Sequence, residues 1–96
     1  MPRNYRTKAF RKLFDDLPKQ IQELAQLTFK EFVKDPASTG LRHHQLTPCK
    51  LGKHIEPSWS VSLNMQYRAI YTVVNGANAW YWIGSHAAYD VFIGRK

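Results

Sequence analysis

Cysteine is nearly missing from this sequence: Cys49 stands alone among 96 residues, so no disulfide can close within the chain and no cysteine-based metal site can be built. Beside Pro48 it reads as an unreactive loop thiol. Long apolar runs are missing too. No stretch approaches the ~18 residues that cross a bilayer, and no signal peptide or lipidation signal is found, so a cytoplasmic protein with no membrane role is expected. Acids are few and unevenly spread. Seven Asp and Glu face 14 Lys and Arg, and Glu56 is the only acid between Asp35 and Asp90. That scarcity disfavours magnesium sites and nucleophilic triads, and the zinc signature H-E-x-x-H is absent. No metal and no cofactor are expected.

What is present begins with charge. A net +7 favours a polyanionic partner, nucleic acid first, an acidic protein second. The first twelve residues carry Arg3, Arg6, Lys8, Arg11 and Lys12 and no acid, which makes them a candidate phosphate-contacting arm. The length suits one domain, residues 1–96, and a 44% hydrophobic content is enough for its core.

Tyr5 suits a short first strand, and Phe10, Leu13 and Phe14 have the spacing of a short helix. Asp15-Asp16-Leu17-Pro18 then opens a longer helix, since acids and a first-turn Pro suit a helix start. Leu17, Ile21, Leu24, Ala25, Thr28 and Phe32 form its inward stripe. Asp35-Pro36 ends it, because the residue before Pro leaves the α region. Leu41-Arg-His-His-Gln-Leu46 alternates loosely as a strand, with Leu41 and His43 on one side, Arg42 and His44 on the other. Residues 47–57 read as an exposed basic loop bearing Lys50, Lys53 and His54. From Ser58 to Asn64 the alternation is clean: Trp59, Val61 and Leu63 point inward, Ser58, Ser60, Ser62 and Asn64 outward.

Tyr67–Val74 and the run from Ala79 are rich in β-branched and aromatic residues, and Asn75-Gly76-Ala77-Asn78 separates them. Together they predict an antiparallel hairpin. A period of two groups Arg68 with Ile70 and Thr72 on the first strand, and Trp80 with Trp82 and His86 on the second. Residues 89–93 suit a helical turn. The fold class expected is α+β, N-terminal helices packed on one face of a small antiparallel sheet.

All four histidines follow the long helix, in the half that also holds Arg42, Lys50, Lys53 and Arg68. That inventory suits metal-free cleavage of RNA. The 2′-hydroxyl must lose a proton, the leaving 5′-oxygen must gain one, and the phosphorane between them needs positive charge. Imidazoles move protons near neutral pH, and a guanidinium offers a fork of donors to phosphate. RNA brings its own nucleophile.

Tyr67-Arg-Ala-Ile-Tyr71 followed by Trp82-Ile-Gly-Ser-His86-Ala-Ala-Tyr89 resembles the C-terminal half of the RelE/ParE superfamily of bacterial toxins. The helix closing in Asp-Pro, the 41–46 segment and the Trp59 strand follow in that superfamily's order. The resemblance implies a toxin of a type II toxin–antitoxin system, held by a cognate antitoxin. RelE-like and YoeB-like members cut messenger RNA on the ribosome, while ParE-like members poison DNA gyrase. For the ribonuclease branch it implies Arg68 as phosphate ligand, His86 as proton-transfer group, Tyr89 as a residue that stacks on or contacts the RNA, and His44 as a further site residue. Arg42, Lys50, Lys53, Arg6 and Lys8 are the expected RNA-binding cations. Ser60 and Ser62 stand where some members carry lysines, and the glutamate that serves as base in YoeB-like members has no obvious counterpart before Leu41, so the general base is left unassigned. A non-catalytic gyrase inhibitor and a simple basic nucleic-acid-binding module are the alternatives.

Overall fold

Asn75 and Gly76 take φ values of 51° and 79°, the left-handed pair of a two-residue type I′ turn, and everything central to the sheet follows from them. The strands they join are β4 (Tyr67–Val74) and β5 (Ala77–Ser85), so Ala77 and Asn78 belong to the strand rather than to the turn. The computed structural model describes residues 3–95; Met1, Pro2 and Lys96, the ends of the expected single domain, lie outside the described residues. In chain order the other elements are β1 (Asn4–Arg6), α1 (Lys8–Asp15), α2 (Lys19–Lys34), a 3-10 turn (Thr39–Leu41), β2 (His44–Gln45), β3 (Ser58–Ser62) and α3 (His86–Phe92). The sheet order is β1-β5-β4-β3-β2. Four strands run antiparallel, and β1 joins the edge of β5 in parallel, which makes the sheet mixed.

Helices α1 and α2 cover one face, as expected of an α+β fold. Thr7 caps α1 by accepting from the Phe10 amide at 3.2 Å. Asp15 and Asp16 close α1 instead of opening α2, which begins after Pro18 with no acid in its first turn. Asp35 leaves the helix in an extended conformation before Pro36. Under the two helices lies a core of Phe10, Phe32, Leu41, Val61, Ala69, Tyr71, Trp80 and Ile83.

The other face is covered as well. A second core of Leu46, Ile70, Trp82, Tyr89 and Ile93 packs between the sheet and α3. This corrects two expectations. Ser58, Ser60 and Ser62 were expected to face out, yet they are 1%, 1% and 6% exposed: the Ser58 hydroxyl meets the Ile55 carbonyl and the Tyr81 hydroxyl, and Ser60 pairs with Ile70 on the face that the second core covers. Trp80 and Trp82 were expected on one face, but Ile70 pairs with Trp82 while Tyr71 pairs with Trp80. The bulge leaves Tyr81 without a partner and turns Trp80 toward the helices and Trp82 toward α3.

Gly84 is glycine for a packing reason. A Cβ there would come within 2.8 Å of the Trp82 ring, which lies over it. Stacked on Phe92 at 5.1 Å, that ring has nowhere to swing.

Candidate active site

Arg68 stands in β4 between Ser62 of β3 and Gly84 of β5, on the same face as Ile70 and therefore on the α3 side. Its Nη1 donates to the carbonyls of Asn64 and Tyr67, which folds the side chain over the β3–β4 turn. A guanidinium has five N–H donors, so the three on Nε and Nη2 are left to a ligand. Burial lowers the Arg68 pKa, Tyr89 raises it, Arg42 lowers it and Asp90 raises it. An arginine stays charged through such shifts.

His86 opens α3 directly after β5. Ser85 caps the helix by accepting from the Ala88 amide, and the His86 amide donates to the Gln66 carbonyl at 2.6 Å, which pins the backbone where β4 begins. The imidazole is 48% exposed and its Nδ1 lies 3.7 Å from Asp90 Oδ2. Arg68 and His86 thus share one face at one end of the hairpin, and neither is buried in a structural ion pair.

Tyr89 does not fit the expected stacking role. It is 3% exposed, packed on Trp82 and lying flat against the His86 ring at 6.2 Å. A ring that stacks on RNA bases must present a face to solvent; this one anchors α3 and buttresses the imidazole.

At the far side of Arg68, Arg42 adopts a left-handed conformation (φ 47°) that closes the 3-10 turn and delays the expected 41–46 strand, so that only His44 and Gln45 pair as β2. His44 is exposed and pairs with Ser60, on the α3 face. Its Nδ1 lies 2.8 Å from the Arg42 carbonyl. A carbonyl only accepts, so the hydrogen is on Nδ1, and neutral His44 carries its free lone pair on Nε2. Arg42 and Arg68 line one concavity of about 340 Å3 with Ser62, Asn64, Met65 and the Thr39-Gly40 backbone turn.

Other expected cations lie elsewhere. Lys50 and Lys53 are exposed, but the Lys53 amide donates to the Phe92 carbonyl at the far end of α3, about 10 Å from His86 along a helix of this length. Arg6 lines an apolar cleft on the helix-covered face, and Lys8 opens α1 beyond the opposite sheet edge from β2. His43 is partly buried against the core, its Nε2 2.7 Å from the Tyr71 hydroxyl and its ring edge-on to Phe32. His54 is buried with Nε2 donating to the Thr47 carbonyl. Asp90, passed over in the sequence, is the group that the fold adds. It interrupts the Tyr89–Ile93 apolar stripe of α3, and an acid in such a stripe is the signal that marks it. Among the described residues, no three His, Cys, Asp or Glu side chains converge as metal ligands.

No family model and no curated protein matches the chain. Among solved structures, YafQ from E. coli strain BL21(DE3) superposes with a TM-score of 0.69 at 13% identity, over 93% of this chain and 98% of that one. The chain has the RelE-like toxin fold. A copper-bound mutant toxin from Helicobacter pylori shares this fold with a TM-score of 0.60 at 19% identity, over 92% of this chain and 98% of its own. At these identities the likeness is one of fold. The RelE-like frame accounts for the expected order of helices and strands, including the short β1 and the late α3.

Proposed function

We propose that this protein is the toxin of a toxin–antitoxin pair and cleaves messenger RNA on the ribosome without a metal ion. One observation carries the reading: a half-exposed imidazole, an arginine with three free donors and a second imidazole with a free Nε2 share the α3 face of the sheet. His44 and His86 flank Arg68 diagonally: His44 pairs with Ser60 two strands away, and His86 comes two residues after Gly84 on the neighbouring strand, which puts their backbones about 12 Å and about 8 Å from that of Arg68. A phosphodiester bound by Arg68 and Arg42 then lies between a base and an acid.

In the cleavage step His44 Nε2 takes the 2′-hydroxyl proton as the 2′-oxygen bonds to phosphorus. The bond from phosphorus to the 5′-oxygen breaks, and His86 Nε2 delivers the proton that this oxygen needs. A 2′,3′-cyclic phosphate and a free 5′-hydroxyl result. Arg68 stabilises the dianionic phosphorane, the interaction that strengthens as charge develops.

A partner protein has a separate surface. On the helix-covered face, an apolar cleft of about 380 Å3 is lined by Phe14, Phe29 and Trp80 and edged by Arg6 and Lys30. An acidic antitoxin with apolar anchors suits it by charge and by chemistry.

The test is a translating extract with and without ribosomes. The wild-type protein is expected to cut message only when ribosomes translate it. His86→Ala and Arg68→Ala, checked for folding by circular dichroism, are each expected to cut at least about 10²-fold more slowly. Intact message with the wild-type protein overturns the reading; gyrase-dependent DNA breaks in cells, unaffected by His86→Ala, would put gyrase inhibition in its place.

A further inference from the structure

Asp90 is an acid in the wrong place for an ordinary surface carboxylate. Its side chain is 10% exposed, on the turn of α3 that also buries Tyr89. Oδ1 is buried without a hydrogen-bond partner among the described residues, and Oδ2 has only the His86 ring, at 3.7 Å. A buried carboxylate kept at this cost is either paired or neutral. The charged and titratable groups facing it are His86 and Tyr89 from α3 and Arg68 from β4, with Arg42 beyond Arg68. Arg68 has turned its Nη1 to the carbonyls of Asn64 and Tyr67 instead. That leaves the imidazole as the group within ion-pair reach.

We propose that Asp90 is the positioning residue of the site: its carboxylate holds the Nδ1–H of His86, fixes the ring orientation and leaves Nε2 to deliver the proton to the leaving oxygen. The inference rests on the reading of His86 as proton donor. At 3.7 Å the two groups stand within ion-pair reach but beyond hydrogen-bond distance. Such contacts in unliganded sites shorten when substrate closes over them. The Tyr89 ring lies near-parallel to the imidazole, 6.2 Å between centroids, and Nδ1 is the nitrogen that approaches the buried acid. The two proton carriers then differ by construction. His44 Nδ1 faces a backbone carbonyl, whereas His86 Nδ1 faces a carboxylate.

The experiment reads the His86 ring by nitrogen-15 NMR in the full-length protein, with cleavage measured alongside. In the wild-type protein the neutral ring is expected to keep its proton on Nδ1. In Asp90→Asn it is expected to move to Nε2, the form that solvated imidazoles favour. Cleavage by Asp90→Asn should drop about 10²-fold with the fold intact, and Asp90→Glu should recover part of it. A wild-type neutral ring protonated on Nε2 overturns the proposal, as does wild-type cleavage by folded Asp90→Asn. The wild-type spectrum decides the pairing even where a variant fails to fold. A wild-type protein that leaves RNA uncut counts against the ribonuclease reading, and the ring signature still decides the Asp90–His86 pairing.

Discussion

Arg68 and Lys at the same position would carry the same charge but not the same donors. With Nη1 fixed on two backbone carbonyls, the arginine still has a three-donor edge for phosphate, whereas an ammonium has three donors in all and no fork. Each charge-assisted bond lost costs about 1.5–3 kcal/mol, so Arg68→Lys is expected to cleave about 10–100-fold more slowly while melting close to the wild-type temperature. His43 makes the opposite case, an imidazole outside the chemistry. Burial lowers its pKa below the ordinary 6.5, a backbone contact at Pro36 opposing and His44 adding. Its partner Tyr71 is pushed by burial up to about 12, so the contact between them is one of neutral groups. With the folded value depressed, the unfolded chain binds the proton more readily; stability is full above 6.5 and is lost as pH falls through the folded value. Thermal melts on either side of that pH should show the loss, and His43→Gln should flatten it. A period of two puts Arg68 on its face of the hairpin, and the resemblance singled out His86 after the last strand's Gly84. The burial of Tyr89 and Asp90 was not legible, since seven residues of helix set their phase only once α3 is docked.

The elements were legible wherever one period ran unbroken. The α2 stripe, the Trp59 strand and the Asn-Gly hairpin each announce themselves through spacing. What defeated the alternation was a single unpaired residue: with Tyr81 extra, Trp80 and Trp82 face opposite cores, and no count along β5 alone reveals that. Serines misled for a related reason. Small polar side chains in an alternating strand suggest solvent, but here they are buried, and the Ser58 hydroxyl meets the Tyr81 hydroxyl at 2.7 Å and donates to the Ile55 carbonyl. Gly84 tests how tightly β5 and α3 are fitted. Its missing Cβ is occupied space, with the Trp82 ring 2.8 Å from where the atom would be. Gly84→Ala is expected to destabilise the fold by about 1–3 kcal/mol. At roughly 4–8 °C per kcal/mol for a domain of this size, circular dichroism melts would register it plainly. An unchanged melting temperature would mean that the indole yields more freely than its stack on Phe92 implies.

Over the whole molecule, the net charge of +7 says less than its distribution. The cations near the chain start lie about β1 and α1, at the opposite sheet edge from β2, while Arg42 and Arg68 line the concavity on the α3 face. Sequence alone could count these charges but not assign them to faces, because the assignment depends on β1 adding to β5 rather than to the β2 edge. RNA affinity should therefore respond unequally to their removal. Each phosphate contact on a single strand adds about −0.7 to the slope of log affinity against log salt. Arg42→Ala is expected to make that slope shallower by about this amount and to weaken binding of a non-cleavable RNA, one lacking the attacking 2′-hydroxyl. Arg6→Ala with Lys8→Ala should leave the slope unchanged, since both belong to the other side of the sheet. Should the double variant instead lose two contacts' worth of slope, the RNA must wrap past β5 to reach the N-terminal cations, and the bound strand would be longer than the concavity alone accommodates.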